Sequence, residues 1–392
     1  MAAILSANSA GWLVSAYPGA TALHGLAIDP GARTRVAVQQ IGEVVAKTRE
    51  DAGEAEKLVR DGVAFAPADA RLYSVLGTLA QLDAREEEAA RLYATALALS
   101  PAEQNANLQL AASEAKAQRF GPALGHVDVL LTRWPSQLAN AQPVVLAALA
   151  DAEGTRALVA ALGRNRPWRF PLISRLAGAR DTAPAAAQLV SAMAAHGAPP
   201  TFEEQRSAMN GLLWAQRTVE AYQLFLASLT DEERPLAGFV FDGAFTRRPR
   251  ARPFDWRANP SPGVEVSFPG GDVGATIRFG DAPVTFFDFQ QTLALAPGRY
   301  KVSVETSGER LAAPRNINLV LRCGVSLRLL TMAPLPLGDY RRAATEREAV
   351  VPAEGCDSQE VAIASGLTAP SWALRLSGTL IVHSIAIELA DR

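Results

Sequence analysis

The chain has 392 residues, 49% of them hydrophobic and 20% charged, with a formal net charge of −2. These values describe a folded protein of two or three domains. They exclude a disordered polymer and a generally basic nucleic-acid binder. The four histidines (His24, His126, His196 and His383) are scattered, and the two cysteines (Cys323 and Cys356) form no C-x-x-C. No metal or cofactor is therefore expected. A disulfide suits an exported chain and two buried thiols suit a cytosolic one, and both readings stay open.

Residues 1–28 contain no Asp, Glu, Lys or Arg. Gly11, Pro18 and Gly19 interrupt this apolar run, and no basic region precedes it. Residues 1–18 are read either as part of a membrane or secretory segment or as a first helix. Residues 19–28 are read as a buried helix that ends at Pro30.

Pro67, Pro101 and Pro135 recur every 34 residues, each closing an apolar stretch, and Pro30 fits a slightly longer unit. Between Ala70 and Gln104 the pattern places Tyr73, Leu76, Gly77 and Ala80 on one helix. Ala89, Tyr93 and Ala96 fall on a second, before Pro101. Gly77 and Ala89 are small enough to let the two helices cross closely, and the larger residues fill the seam. The next unit keeps Leu110, Ala111, Ala123, Val127, Leu130 and Pro135 but puts Asn107 where Tyr73 stood. Further helices are predicted at 138–150, 154–163, 168–178, 184–196, 202–215 and 217–229.

This pattern resembles the tetratricopeptide repeat, with Tyr73 at a position where that family usually has Trp. The resemblance implies a curved solenoid whose groove binds a protein partner through first-helix side chains. The groove candidates are Arg71, Ser74, Thr78 and Gln81, then Asn105, Leu108, Ala112 and Lys116. Only two of them are charged, so no clamp for an acidic tail is expected.

After Pro235 the period changes to short β-type runs separated by Gly, Pro and Asp. The runs begin at 239–245 and 264–268, continue through 275–279, 284–295, 299–306, 316–323, 326–332 and 360–364, and end with 372–377 and 379–389. The expected fold is therefore α+β, an α-solenoid over 19–235 followed by an antiparallel β-sandwich over 236–392. Phe241-Asp-Gly-Ala-Phe245, the Pro253–Arg257 patch, the Pro297-Gly-Arg-Tyr300 turn and the closing strand are similar to phrases in the jelly-roll domains of carbohydrate-binding modules. That resemblance implies a sheet face or loop able to hold a glycan.

Sugar sites combine aromatic platforms with planar polar groups, and Phe254, Asp255, Trp256 and Arg257 offer both within four residues. Trp372 and Tyr340 are further aromatic candidates. The opposing expectation is that the tryptophans fill the core. Arg247, Arg248, Arg250 and Arg252 form the densest charge cluster, read as a solvated loop or a contact for an anionic polymer or lipid headgroup. Arg341 and Arg342 carry the same two readings.

There is no G-x-S-x-G, no phosphate loop and no H-E-x-x-H. Pro269–Gly274 lies between strands and reads as a turn. An enzyme is not expected. The combined expectation is an adaptor whose solenoid binds a protein and whose sandwich contacts polysaccharide, in bacterial exopolysaccharide biosynthesis or export. It would sit in the cell envelope or periplasm, with the cytoplasm as the alternative. The competing readings are a scaffold with no ligand in the sandwich, and a glycan-active enzyme.

Overall fold

The computed structural model describes residues 52–390, apart from 164–165, 260, 271–272, 281–283, 285 and 367–374. The expectations for residues 1–51 and for Trp372 lie outside the described residues. Eleven described helices are followed by ten described strands. By compactness, one unit holds the chain up to Leu172 together with Ala192–Pro199. The other holds Ile173–Ser191 and everything from Pro200 onward. The expected division placed a boundary at 235; by compactness the last helices group with the strands.

In the first unit the repeat appears as α1 (Ala52–Phe65), α2 (Ala70–Leu82), α3 (Glu86–Leu99), α4 (Gln104–Lys116) and α5 (Phe120–Arg133). The helices α6 (Leu138–Leu149), α7 (Ala152–Leu162), α8 (Arg169–Ala177), α9 (Ala183–Ala195), α10 (Phe202–Trp214) and α11 (Thr218–Ala227) follow. Gly77 shows why a small residue stands at the α2–α3 crossing: a Cβ there would lie 2.7 Å from the buried Tyr93 ring. Asn107 takes over a role of Tyr73. Tyr73 donates its hydroxyl to the Pro67 carbonyl at 2.9 Å, and Asn107, six residues past Pro101 as Tyr73 is past Pro67, donates to the Pro101 carbonyl at 3.0 Å. A buried carboxamide and a tyrosine thus tie the first helix to the proline turn by the same bond.

In the second unit the strands are β1 (Arg257–Ala258), β2 (Val264–Ser267), β3 (Ala275–Phe279), β4 (Asp288–Leu293) and β5 (Gly298–Ala312). They continue with β6 (Ile317–Cys323), β7 (Leu329–Pro334), β8 (Gly338–Val351), β9 (Gln359–Ser365) and β10 (Ser377–Leu389). Two antiparallel sheets result, ordered β1-β4-β9-β6-β7 and β2-β3-β10-β5-β8. Phe289, Ile363 and Leu319 from the first sheet meet Ile277, Val302 and Val382 from the second in one core. Cys323 and Cys356 are joined in a disulfide.

Two strand expectations need correction. Residues 239–245 form turns, with Asp242 and Phe245 at positive φ, and Gly243 packs so closely on the Ile385 carbonyl that a side chain would not fit. Strand β8 lies where the alternation assigned none. It is a sheet edge with mostly exposed residues, supported by cross-strand ion pairs rather than an apolar stripe. Glu346 meets Lys301 at 2.8 Å and Glu348 meets Arg299 at 2.8 Å.

Arg247 and Arg252 of the arginine cluster are built into the fold, while Arg248 is exposed. Arg252 is buried, bound through both terminal nitrogens to Glu233 (3.0 and 3.1 Å) and through Nε to Asp255 (3.3 Å). Its guanidinium lies 4.8 Å from the centre of the Phe225 ring on α11 and 5.5 Å from that of Phe241. Arg247 reaches the same two carboxylates, at 2.8 and 3.1 Å. Burial works against the Glu233 charge, but the Arg252 hydrogen bonds and both arginine charges outweigh it and hold its carboxyl below the ordinary range.

Two outcomes are expected. Gly77→Ala gains about 1 kcal/mol of helix propensity but drives a methyl into Tyr93, so a net loss of about 1–2 kcal/mol is expected in urea unfolding. Arg252→Ala leaves two buried carboxylates to Arg247 and the more exposed Arg250 and should cost about 3 kcal/mol. Because the Glu233 carboxyl is depressed, the stability it adds is complete above its unfolded value near 4.5 and is lost as pH falls through the lower folded value. The variant should therefore also show a shallower acid limb in the stability–pH curve.

Candidate functional site

The structure draws four of the groove candidates into one hydrogen-bonded ladder. Asn105 on α4 donates to Ser74 and Thr78 on α2, each at 3.0 Å. The Tyr93 hydroxyl on α3 donates to Gln81 at 2.9 Å and lies 3.3 Å from the Thr78 hydroxyl. Gln109 joins Asn105 at 3.4 Å. A cavity of about 140 Å³ borders this ladder, lined among others by Gln81, Glu86, Tyr93, Gln109, Ala112 and Lys116. Burial pushes the Tyr93 hydroxyl up from its ordinary value, with the Thr78 bond opposing, so it remains a neutral donor.

The remaining candidates stand apart from the ladder. Arg71 folds back onto Asp69, the residue that caps α2, at 2.6 Å. Leu108 is half-buried, and exposed Lys116 pairs with Glu86 at 3.7 Å. Tyr93 and Gln109 join the ladder without having been among the candidates. Tyr93 was placed only in the helix seam, and the signal that could have found it is the polar tip of a tyrosine whose body is buried.

Phe254, Asp255 and Trp256 do not form an exposed platform; they are 1%, 1% and 3% exposed. Phe254 packs against Tyr222 and Phe225, with ring centres 5.1 and 5.3 Å apart. Trp256 stacks on Phe289 at 5.0 Å and donates its indole N–H to the Asp242 carbonyl. Asp255 accepts the main-chain N–H groups of Arg250 and Arg252. Each finds a partner within the fold that satisfies it better than water would.

Arg257 alone of the four reaches a surface, and it leads to the candidate site. On the outer face of the first sheet, three cross-strand rows lie side by side: Asp288–Ala364–Asn318, Gln290–Ala362–Val320 and Thr292–Glu360–Arg322. Much of this face is covered: Ala362, Ala364, Val320, Gln290 and Thr292 are all buried. Arg322 donates to Asp288 and Gln290, both at 2.7 Å, and to Glu360 at 3.0 Å. Arg257 donates to Thr292 and Glu360, each at 3.2 Å.

Asp288 is only 2% exposed, and its Oδ1 has no hydrogen-bond partner. Burial raises its carboxyl above the usual range; the Arg322 bond opposes this and the Glu360 charge adds to it. Chemically this is a largely buried network of planar, bidentate groups that comes to the surface at Arg257. Among the described residues, no three His, Cys, Asp or Glu side chains converge as a metal site requires. Asp288 opens β4, and Asp is common at strand ends for backbone reasons. Only the cross-strand register joins it to Arg322, 34 residues away.

Arg322→Ala removes the cation from two largely buried carboxylates and should cost about 2–3 kcal/mol. Asp288→Asn keeps an acceptor for Arg322 without the desolvated charge and should change stability by less than about 1 kcal/mol. Chemical denaturation midpoints of the two variants check both.

No protein-family model matches the sequence, and no curated protein matches it. Among solved structures, the chain is similar to a CBM4 module, with 16% identity and a TM-score of 0.29 over 38% of this chain and 97% of that one. It is similar to TmCBM61 in complex with β-1,4-galactotriose, with 13% identity and a TM-score of 0.26 over 39% and 99%. It is also similar to PilF of Pseudomonas aeruginosa, with 16% identity and a TM-score of 0.29 over 50% and 89%. Each is a distant likeness to part of the chain, and no family membership follows from it.

Proposed function

We propose that the chain is a cell-envelope adaptor, in which the helical groove docks a protein partner and the outer sheet face contacts polysaccharide. The observation that carries the glycan half is the polar face around Arg322. It ties Gln290, Glu360 and Asp288 into one network that Arg257, 43% exposed, carries to the surface. Sugar hydroxyls pair with planar groups of this kind, donating to carboxylates and accepting from guanidinium N–H.

The carboxamide and hydroxyl ladder of Asn105, Gln109, Gln81 and Tyr93 supports the protein-docking half. Such groups match the main-chain N–H and C=O of an extended, largely uncharged peptide segment. The Cys323–Cys356 disulfide supports an oxidising compartment. No helix among the described residues is long and apolar enough to cross a membrane. Exopolysaccharide biosynthesis or export is the process we assign to such an adaptor.

The test is saturable binding of the full chain to a panel of neutral and charged polysaccharides. The whole chain is needed because Glu233 and Phe225, ahead of the strands, support Arg252. Arg257→Ala, at a side chain 43% exposed, should fold normally and weaken binding about tenfold or more, as expected for a lost charged hydrogen bond. Saturable binding unaffected by that variant would reject this face. No binding to any polysaccharide would reject the glycan half and leave a protein scaffold.

A further inference from the structure

The second sheet holds a cleft of about 640 Å³ that the adaptor reading does not use, with Ser307, His383, Arg341, Arg342, Glu309 and Asp339 among its lining residues. It lies where three neighbouring strands lose their regular register. Between β10 and β5 the pairing steps from Val382↔Thr306 to Ser384↔Glu305, which leaves His383 as the extra residue. Between β5 and β8 it steps from Thr306↔Ala343 to Gly308↔Tyr340, so Ser307 alone faces both Arg341 and Arg342. Arg342 holds a left-handed backbone, φ 43°, a conformation that costs free energy in any residue other than glycine.

These irregularities bring two residues 76 positions apart into contact. The Ser307 hydroxyl lies 2.7 Å from Nε2 of His383, and the Arg342 main-chain N–H donates to the same hydroxyl oxygen at 3.1 Å. Nδ1 of His383 is buried and has no hydrogen-bond partner. Burial, followed by the Arg342 charge, keeps the imidazole below its ordinary value, with Glu305 and Val273 opposing. The ring is therefore a neutral base near pH 7. Arg342 itself is bound to Glu305 at 2.9 Å. Exposed Arg341 has no ion pair among the described residues. Bulges concentrate beside active sites because they re-aim single side chains, and here two bulged positions aim at each other.

We propose that Ser307 is a nucleophile activated by His383, and that the cleft transfers the acyl group of a small ester of a polyhydroxylated alcohol to water. Ser307 Oγ bonds to the ester carbonyl carbon as its proton passes to Nε2 of His383. The carbon–oxygen bond to the alcohol then breaks, and the alcohol leaves with the proton from Nε2. Water attacks the acyl-serine, its proton passing to Nε2. The Oγ–carbon bond breaks, the carboxylic acid departs, and Oγ regains its proton. No oxidant or metal enters this balance. The Arg341 guanidinium is the cation available at the cleft to the developing oxyanion. The polar wall of Glu309, Asp339 and Arg341 selects a hydroxyl-rich alcohol over an apolar one.

The test treats the full chain with a fluorophosphonate, which bonds to activated serines with loss of fluoride, and locates the adduct by peptide mass spectrometry. The adduct is expected on Ser307, together with hydrolysis of p-nitrophenyl acetate that Ser307→Ala abolishes. His383→Gln keeps a side chain that can hydrogen-bond Ser307 but cannot take its proton. That variant should unfold at a similar denaturant midpoint while labelling at least about 100-fold more slowly. Labelling of Ser307 no faster than of other serines, or an unchanged rate in folded His383→Gln, would overturn the proposal. Neither result bears on polysaccharide binding at the Arg322 face.

Discussion

Two carboxylates and two guanidinium groups, buried together where the last helix meets the first strands, organise the second half of this protein. Glu233 and Asp255 each take bonds from both Arg247 and Arg252, so the charges cancel within a few ångströms. Taking such groups out of water is expensive, and only near-complete mutual satisfaction makes the burial tolerable. The Phe225, Phe241 and Phe254 rings surround the cluster and raise that cost further for any rearrangement. Dense arginine in a loop has become an internal fastening, and the chain from α11 to β1 follows from it.

Much of the architecture was legible because it repeats. The proline spacing and the small residues at helix crossings gave helix positions within a few residues as far as Ala227, and alternation located most strands. The failures have a common cause. Phe254, Asp255 and Trp256 look the same in sequence whether they face a ligand or a core. Their fate rests on Phe225, Phe289 and Arg252, which local pattern does not bring near. Strand β8 is held by its long ladder with β5, dressed with exposed charge pairs, and neither shows as alternation in its own sequence.

The polar faces follow the same division. Among the first-helix positions that the repeat resemblance singled out, Ser74, Thr78, Gln81 and Asn105 do meet, Gln81 through Tyr93. On the sandwich, neither the Arg322 face nor the Ser307–His383 pair has a local signature. Each is assembled from strands adjacent in the sheet and far apart in the chain. A helical surface can therefore be read from one segment, whereas a sheet surface needs its topology first.

The disulfide has a mechanical corollary. Strands β7 and β8 are each the edge of their own sheet, and both lie between Cys323 and Cys356. Tension applied to the two ends of the chain would pass from one cysteine directly to the other and never load the segment between them. Of the four edge strands, the two that follow Cys323 are thus shielded from a pulling force, whereas β1 and β2 lie outside the bridged loop.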